Sequence, residues 1–103
     1  MIEERVQFPP GFLEDFCKRN YIRKLSLFGS VLRPDFRADS DIDVLVEFEK
    51  GKTPTLFDIV GLEMELSSFL GRKVDLRTRE DISRFSRERV MNESLPRYVV
   101  IGR

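Results

Sequence analysis

The chain is 103 residues long, 41% hydrophobic and 35% charged, which indicates a single globular domain over residues 1–103 rather than a disordered segment. Its 18 basic and 18 acidic residues balance, so the net charge gives no general reason to expect a nucleic acid or a membrane as partner. The absence of histidine excludes imidazole general bases, histidine-ligated zinc and serine–histidine triads.

The first predicted elements are a helix and a strand. Residues 11–19 have the apolar spacing of a short helix, and Asn20 is a plausible end for it. Cys17 lies among the apolar positions of this helix, where a small buried side chain is favoured over a reactive thiol. Apolar residues over 22–28 then predict a strand that ends at Gly29-Ser30.

Cysteine usage and hydropathy indicate the compartment. Cys17 is the only cysteine, which excludes an internal disulfide and favours a reducing environment. No apolar run is long enough to span a membrane, and the N-terminus lacks the apolar core of a signal peptide. We therefore expect a cytoplasmic protein that does not bind membranes.

Residues 31–40 connect the first strand to the clearest strand in the sequence. The connection is polar and contains Pro34, so it predicts a turn or at most one turn of helix. Apolar and polar residues then alternate over 42–48, as in a strand with one covered face. The apolar face holds Ile42, Val44, Val46 and Phe48, and the other face holds Asp41, Asp43, Leu45, Glu47 and Glu49.

A second helix and a third strand follow. Thr55 is a candidate cap for a helix that runs to about residue 70, where Gly71 ends it. A short strand over 73–77 carries Asp75 on the face opposite its apolar neighbours.

The C-terminal region predicts one more helix and one more strand. The helix covers about 80–93, with Thr78 as a candidate cap, and Pro96 ends this region. Residues 98–101 predict a terminal strand whose edge is a candidate for pairing with another chain. The element order is α-β-(turn)-β-α-β-α-β, so we predict an α/β (α+β) domain in which a mixed sheet packs against helices.

Three features converge after the first predicted strand. Gly29-Ser30 lies at a strand end, where backbone N–H groups can bind an anion and glycine lets a phosphate approach closely. Asp41 and Asp43 are two residues apart on a strand, so both carboxylates project to the same side. Asp75 lies on another strand, and if that strand is adjacent, three carboxylates meet beside the glycine turn.

A group of three carboxylates predicts a divalent cation. Adjacent carboxylates repel one another, and a bound cation removes that conflict. Carboxylate oxygens suit Mg²⁺, which also takes substrate phosphates as ligands. The pattern therefore predicts a nucleoside triphosphate site with two Mg²⁺ ions that align an attacking hydroxyl and stabilise the leaving pyrophosphate. Asp41 and Asp43 hold the metals, and Asp75 completes the catalytic ion and is a candidate acceptor for the proton of the nucleophile.

Each part of this pattern alone has an ordinary structural explanation. Turns, solvated strand faces and loop charges are common on protein surfaces, and four features here fit that description: Gly29-Ser30, Asp41 with Asp43, Asp75, and Arg33. Only their order and strand placement together favour a catalytic site.

This combination resembles the signature of the DNA polymerase β-like nucleotidyltransferase superfamily. That signature is a hydrophobic strand, Gly-Ser, a connection, Asp-x-Asp and a third carboxylate on a later strand. The chain has Leu27-Phe28-Gly29-Ser30, then Asp41-Ile42-Asp43, then Val74-Asp75-Leu76. It is similar to the minimal nucleotidyltransferases over nearly its whole length. Many relatives place glycine after the arginine, whereas here Pro34 follows Arg33 and stiffens the loop.

The resemblance implies the fold, the site and a partner. It implies that the nucleotide is bound by Gly29, Ser30, Arg33 and Ser40, and that Asp41, Asp43 and Asp75 are catalytic and hold Mg²⁺. It implies transfer of AMP from ATP to a hydroxyl. For antitoxins of this type, the implied acceptor is a tyrosine of a HEPN ribonuclease toxin, so we expect a hetero-oligomer with that partner.

Two other functions stay open at this stage. One is a binding module without catalysis, which inhibits its partner by covering the partner's active site. The other is an RNA nucleotidyltransferase, against which the neutral net charge argues. A local basic strip would support RNA binding, although a solvated helix face is the simpler explanation for its members: Arg72, Arg77, Arg79, Arg84, Arg87 and Arg89.

Overall fold

The computed structural model describes residues 6–37 and 39–100. Two short 3₁₀ helices interrupt the regular elements in this part of the chain, at Gly29–Leu32 and Arg79–Asp81. The α-helices and strands of these residues follow in the order α1 (Phe12–Arg19), β1 (Ile22–Phe28), β2 (Ile42–Phe48), α2 (Leu56–Leu70), β3 (Val74–Thr78), α3 (Arg87–Glu93) and β4 (Leu95–Val99). The predicted element order and the α/β class are confirmed.

The four strands form one mixed sheet in the order β3-β2-β1-β4. Strand β1 is antiparallel to both β2 and β4, whereas β2 and β3 are parallel and are joined by α2 as a crossover helix. The register sets Phe28 beside Asp43 and Asp43 beside Asp75. Consequently, the end of β1 and the beginnings of β2 and β3 meet at one edge of the sheet.

Helices α1 and α2 cover one face of this sheet and form the core with it. Phe16 of α1 and Leu66 of α2 are fully buried against Ile42, Val44 and other apolar strand residues. Burial of this kind is the main favourable term in folding. Cys17 lies in the same core, as predicted, and burial raises the pKa of its thiol to about 12, so the thiol is inert.

The ends of α2 agree with the sequence prediction. Thr55 Oγ1 accepts a hydrogen bond from the Asp58 N–H at 3.1 Å, and Asp58 Oδ2 accepts one from the Thr55 N–H at 2.8 Å, which makes a capping box. Gly71 ends the helix in the left-handed conformation with φ 67°. Within the described residues, no helix is long and apolar enough to cross a bilayer.

The predicted helix over 80–93 is wrong in its first half. Thr78 does form a capping box with Asp81, but the helix it begins is the 3₁₀ turn Arg79–Asp81, and Ile82 is extended. The Ser83 hydroxyl then accepts a hydrogen bond from the Phe85 N–H at 3.3 Å, a local contact that competes with helix formation. Only residues 87–93 are α-helical.

The last strand begins earlier than predicted. Pro96 does not end the region, because it lies inside β4, opposite Ser26 of β1. Proline is tolerated there because β4 is an edge strand, where a missing N–H need not break a ladder on both sides. The predicted strand over 98–101 is therefore shifted toward the N-terminus, and residue 101 lies outside the described residues.

Candidate active site

The turn after β1 is built around the carboxylate of Asp43. Gly29 has φ 68°, and a Cβ at this position would collide with Asp43 Oδ2, so only glycine fits. The backbone N–H of Ser30 donates to Asp43 Oδ2 at 3.1 Å. The Ser30 hydroxyl lies 2.7 Å from the Asp41 carbonyl oxygen and 3.2 Å from Asp43 Oδ2. The Gly-Ser turn therefore fixes the position of an acidic side chain.

Asp43 and Asp75 meet at the edge of the sheet. They are direct partners in the parallel register of β2 and β3, so their side chains share one face, and both are half-buried. They line an open cleft of about 500 Å³ on the face opposite α1 and α2, together with Gly29 and Arg33. Two of the predicted carboxylates thus lie beside the predicted glycine turn.

Asp41 is placed differently from the other two acids. Its side chain is 48% exposed, and its Oδ2 lies 3.8 Å from Lys73 Nζ. Asp41 does not line the cleft that holds Asp43 and Asp75. Across residues 6–37 and 39–100, no three acidic side chains are gathered closely enough to hold a metal ion. The predicted group of three carboxylates is therefore assembled only as a pair.

Arg77 lines the cleft, although its sequence position indicated only membership of the basic strip. Its Nε lies 3.2 Å from Asp75 Oδ1, and its Nη2 donates to Asp75 Oδ2 at 3.2 Å. The hydrogen bond and the charge of Asp75 raise the pKa of Arg77, and Asp81 and Asp43 add to this. Strand periodicity could have identified Arg77, because residues two apart on β3 face the same side.

Arg33 and Ser40 have separate places in the connection between β1 and β2. Arg33 lies on the cleft wall. The Ser40 hydroxyl accepts a hydrogen bond from the Arg37 N–H at 3.0 Å, and its carbonyl oxygen accepts one from Arg72 Nη2 at 2.7 Å. Ser40 therefore stabilises the loop that leads into β2.

Several arginines of the predicted basic strip have structural contacts. Arg72 Nη2 also donates to the Arg37 carbonyl at 2.7 Å, and its guanidinium lies 4.6 Å from the ring centre of Phe36. Arg87 donates to the carbonyls of Arg79 and Ile82. These contacts hold Arg72 and Arg87 against loops of their own chain.

The donor set of the cleft fits a magnesium-bound nucleotide. Mg²⁺ in proteins is held by one or two carboxylates plus water and substrate phosphates, and Asp43 and Asp75 supply two carboxylates at adjacent register positions. Basic side chains that suit phosphate line the same cleft: Arg33, Arg77 and Arg89.

Comparison with known proteins gives a family match over most of the chain. The model of the nucleotidyltransferase domain matches residues 10–98. A protein of Methanocaldococcus jannaschii with the provisional name of protein adenylyltransferase is 40% identical over 74 residues. These residues cover 72% of this chain and 77% of that protein. The protein adenylyltransferase MntA of Thermococcus cleftensis is 35% identical over 75 residues, which cover 73% of this chain and 74% of that protein.

Solved structures share the fold. One, provisionally described as a minimal nucleotidyltransferase, superposes with a TM-score of 0.68 at 37% identity. The superposition covers 82% of this chain and 84% of that chain. A chain of a toxin–antitoxin structure with AMP-PNP superposes with a TM-score of 0.72 at 21% identity, covering 91% of this chain and 76% of its own. At that identity, the second likeness is evidence for the fold alone.

Proposed function

This chain belongs to the nucleotidyltransferase domain family, and from that premise we propose that it transfers AMP from ATP to a hydroxyl group of another protein. The observation that carries the proposal is the Asp43–Asp75 pair, which lies beside the Gly29-Ser30 turn in an open cleft. Relatives named as protein adenylyltransferases support a protein acceptor. The fold is also shared, at 20% identity, with a structure of a Shewanella oneidensis HEPN toxin in complex with an MNT antitoxin, and this likeness of fold is the reason to propose an antitoxin role.

The nucleotide is proposed to bind across the turn after β1. Gly29 lets the backbone approach the triphosphate without a side chain in the way, and the Ser30 hydroxyl is a further donor. Arg33 on the cleft wall complements the negative charge of the phosphates. Ser40 contributes by holding the loop that carries Asp41, through its contacts with Arg37 and Arg72.

Asp41, Asp43 and Asp75 are the proposed magnesium ligands. Bound Mg²⁺, as two ions, would supply charge neutralisation at the α-phosphate and at the leaving pyrophosphate. Asp43 is already positioned by the Ser30 N–H. Asp41 is half-exposed and at the distance limit of an ion pair with Lys73, so its carboxylate can turn toward the cleft at small cost.

The groups in the cleft account for every bond and proton of the proposed transfer step. The acceptor oxygen attacks the α-phosphorus of ATP, the bond from that phosphorus to the bridging oxygen breaks, and pyrophosphate leaves with the bond electrons. Asp75 is the proposed acceptor of the hydroxyl proton. Because Arg77 holds both carboxylate oxygens of Asp75 in the free protein, that ion pair must open before the carboxylate can act.

The acceptor is proposed to be a tyrosine of a HEPN toxin encoded with this protein. The cleft is open to solvent on the sheet face away from α1 and α2, and a partner protein would supply its missing walls. A tyrosine side chain is long enough for its phenolic oxygen to enter such an open cleft. Inhibition by complex formation without transfer is the alternative that the test below separates.

The test is incubation of the protein with Mg²⁺, ATP labelled at the α-phosphate and the neighbouring HEPN protein. We expect label on a tyrosine of the partner, and loss of at least about 1,000-fold in rate for Asp43→Asn. Asp35→Asn, an exposed acid in the loop after β1, is the matched control and keeps the rate. A tight complex without label on the partner would favour inhibition by binding. Label on RNA instead of protein would replace the proposed acceptor.

A further inference from the structure

The outer face of α2 carries a strip of large apolar side chains. Phe57 is 89% exposed, Leu56 76%, Met64 66% and Val60 43%. At 100° per residue these four positions share one side of the helix, opposite the buried Leu62 and Leu66. We refer to Leu56, Phe57, Val60 and Met64 as the α2 strip.

The composition of α2 is unusual for a helix on a protein surface. Such a helix normally has one apolar face toward the core and a polar face toward water, whereas a helix apolar on both sides is normally buried on both sides. One side of α2 already packs on the sheet. Contiguous exposed apolar surface in water marks a contact site for another molecule.

Gly61 flanks the α2 strip, about 40° around the helix from Phe57, and has no packing role within the chain. A Cβ at this position would meet nothing within 4 Å. Glycine inside a helix is less stable than alanine because it loses more backbone freedom on folding. Glycine at this position therefore does not stabilise the helix itself. It does leave space for the backbone of a second molecule to approach.

We propose that the α2 strip is a homodimer interface, in which α2 packs antiparallel against α2 of a second copy about a two-fold axis near Gly61. Phe57 and Met64 lie at similar distances along the helix on either side of Gly61, which flanks the strip. An antiparallel copy therefore sets Phe57 against the partner's Met64, while the two Gly61 positions allow the helices to approach closely. Such an interface is isologous and closes on itself.

The charges near the strip permit this pairing. Helix α2 has three acidic residues and no basic ones. Each acid has an intrachain partner: Asp58 caps the helix, Glu63 Oε2 accepts from the Leu76 N–H at 2.8 Å, and Glu65 Oε2 accepts from Arg19 Nη2 at 2.8 Å. Arg19 compensates the charge of Glu65, and the carboxylates of Asp58 and Glu63 are held by backbone N–H groups of their own chain, so none of the three has to find a partner in the second copy.

The area is sufficient for a small specific interface. From their exposed fractions, the four side chains of both copies together bury on the order of 1,000 Å² in such a dimer, which is where specific interfaces begin. The cleft with Asp43 and Asp75 lies on the opposite sheet face, so both clefts of the dimer stay open. The inference is therefore independent of the proposed transfer reaction.

Sedimentation over a concentration series of the purified full chain tests the inference. We expect the wild-type protein to shift from monomer to dimer with a Kd in the range of about 1 to 100 μM. Phe57→Ser raises this Kd at least about tenfold because it removes the most exposed apolar side chain of the strip from the contact. Phe85→Ser is the matched control, since Phe85 is also 89% exposed but lies outside α2, and it changes the Kd by less than about twofold.

Gly61→Ala gives a readout that a misfolded variant cannot imitate. In dilute solution, where the monomer dominates, this variant unfolds at a temperature a few degrees above wild type because alanine favours the helix and meets open space. The same variant weakens the dimer about tenfold because the new methyl group separates the helices. A wild-type protein that stays monomeric at the highest concentration overturns the proposal. So does a Phe57→Ser variant that loses only the complex with a partner protein.

Discussion

The two faces of the sheet differ in their surroundings: helices α1 and α2 pack on one face, and the other face is open to solvent at the cleft. On the side of α1 and α2, Ile42, Val44 and Val46 are completely buried in one continuous core. On the other side, the same strand presents Asp43 and the buried Leu45, and the 3₁₀ helix Arg79–Asp81 covers part of the surface. One face supplies the folding energy, so the other can hold charged groups that a core would exclude.

Leu25→Ala tests the covered face. Leu25 is fully buried in β1, and its truncation leaves a cavity among tightly packed neighbours, so we expect a loss of about 3 kcal/mol in the free energy of unfolding. Urea denaturation measures it. ATP affinity of the folded fraction should not change, because the cleft lies on the other face. A loss below about 1 kcal/mol would contradict the assignment of this face as the source of stability.

Gly29→Ala tests the open face. A methyl group at this φ strains the backbone and collides with the Asp43 carboxylate, so we expect the transfer rate to fall at least about 100-fold, which is about 2.7 kcal/mol in the barrier. Gly71→Ala is the matched control, because Gly71 has nearly the same φ of 67° but nothing within 4 Å of the added Cβ. If both variants lose the same activity, backbone strain and not the contact with Asp43 is responsible.

The contrast between the faces also explains what the sequence could predict. The bounds of β1 and β2, the Thr55 cap and Gly71 end of α2, and the burial of Cys17 were predicted correctly, because periodicity and caps are local properties. The break in the predicted helix over 80–93 was missed because the Ser83 hydroxyl competes with the helix. The position of Pro96 inside β4 could be understood only once β4 was known to be an edge.

The same distinction applies to the candidate site. The Gly29-Ser30 turn and the shared face of Asp43 and Asp75 could be predicted from strand spacing, given that the two strands are adjacent. The ion pair of Arg77 with Asp75 joins residues two apart on β3, so strand spacing places both on one face. The orientation of Asp41 toward Lys73 depends on side-chain rotamers and on the register of β2 with β3, and no sequence pattern encodes it.

Leu45→Ala sharpens the comparison by truncating the same residue type on the other face. Leu45 is as buried as Leu25, but its register partners are Ser26 and Arg77 and it lies outside the main apolar cluster. We expect a loss of about 2 kcal/mol, smaller than for Leu25→Ala, because fewer apolar neighbours are lost. Urea denaturation of the two variants side by side gives the difference. Equal losses would mean that the cleft face is packed as well as the core.

Arg77→Met tests how the open face balances its own charge. Arg77 is about half-exposed, so solvent screens its ion pair with Asp75 and the loss in unfolding free energy should be below about 1 kcal/mol. The acidic pair then lacks its nearest cation, and a divalent metal no longer has to displace one. We therefore expect Mn²⁺, as a spectroscopic probe for Mg²⁺, to bind about three- to tenfold more tightly in titrations without nucleotide.

Arg79→Met removes the same charge from an exposed position next to β3 and controls for the change in overall charge. If the two variants tighten Mn²⁺ binding equally, only the long-range field has changed. If Arg77→Met weakens Mn²⁺ binding, the guanidinium orients Asp75 for the metal instead of competing with it. Either outcome would show how the open face tolerates two adjacent carboxylates. The face that packs against α1 and α2 has no such pair, because its apolar packing leaves no room for a counter-ion.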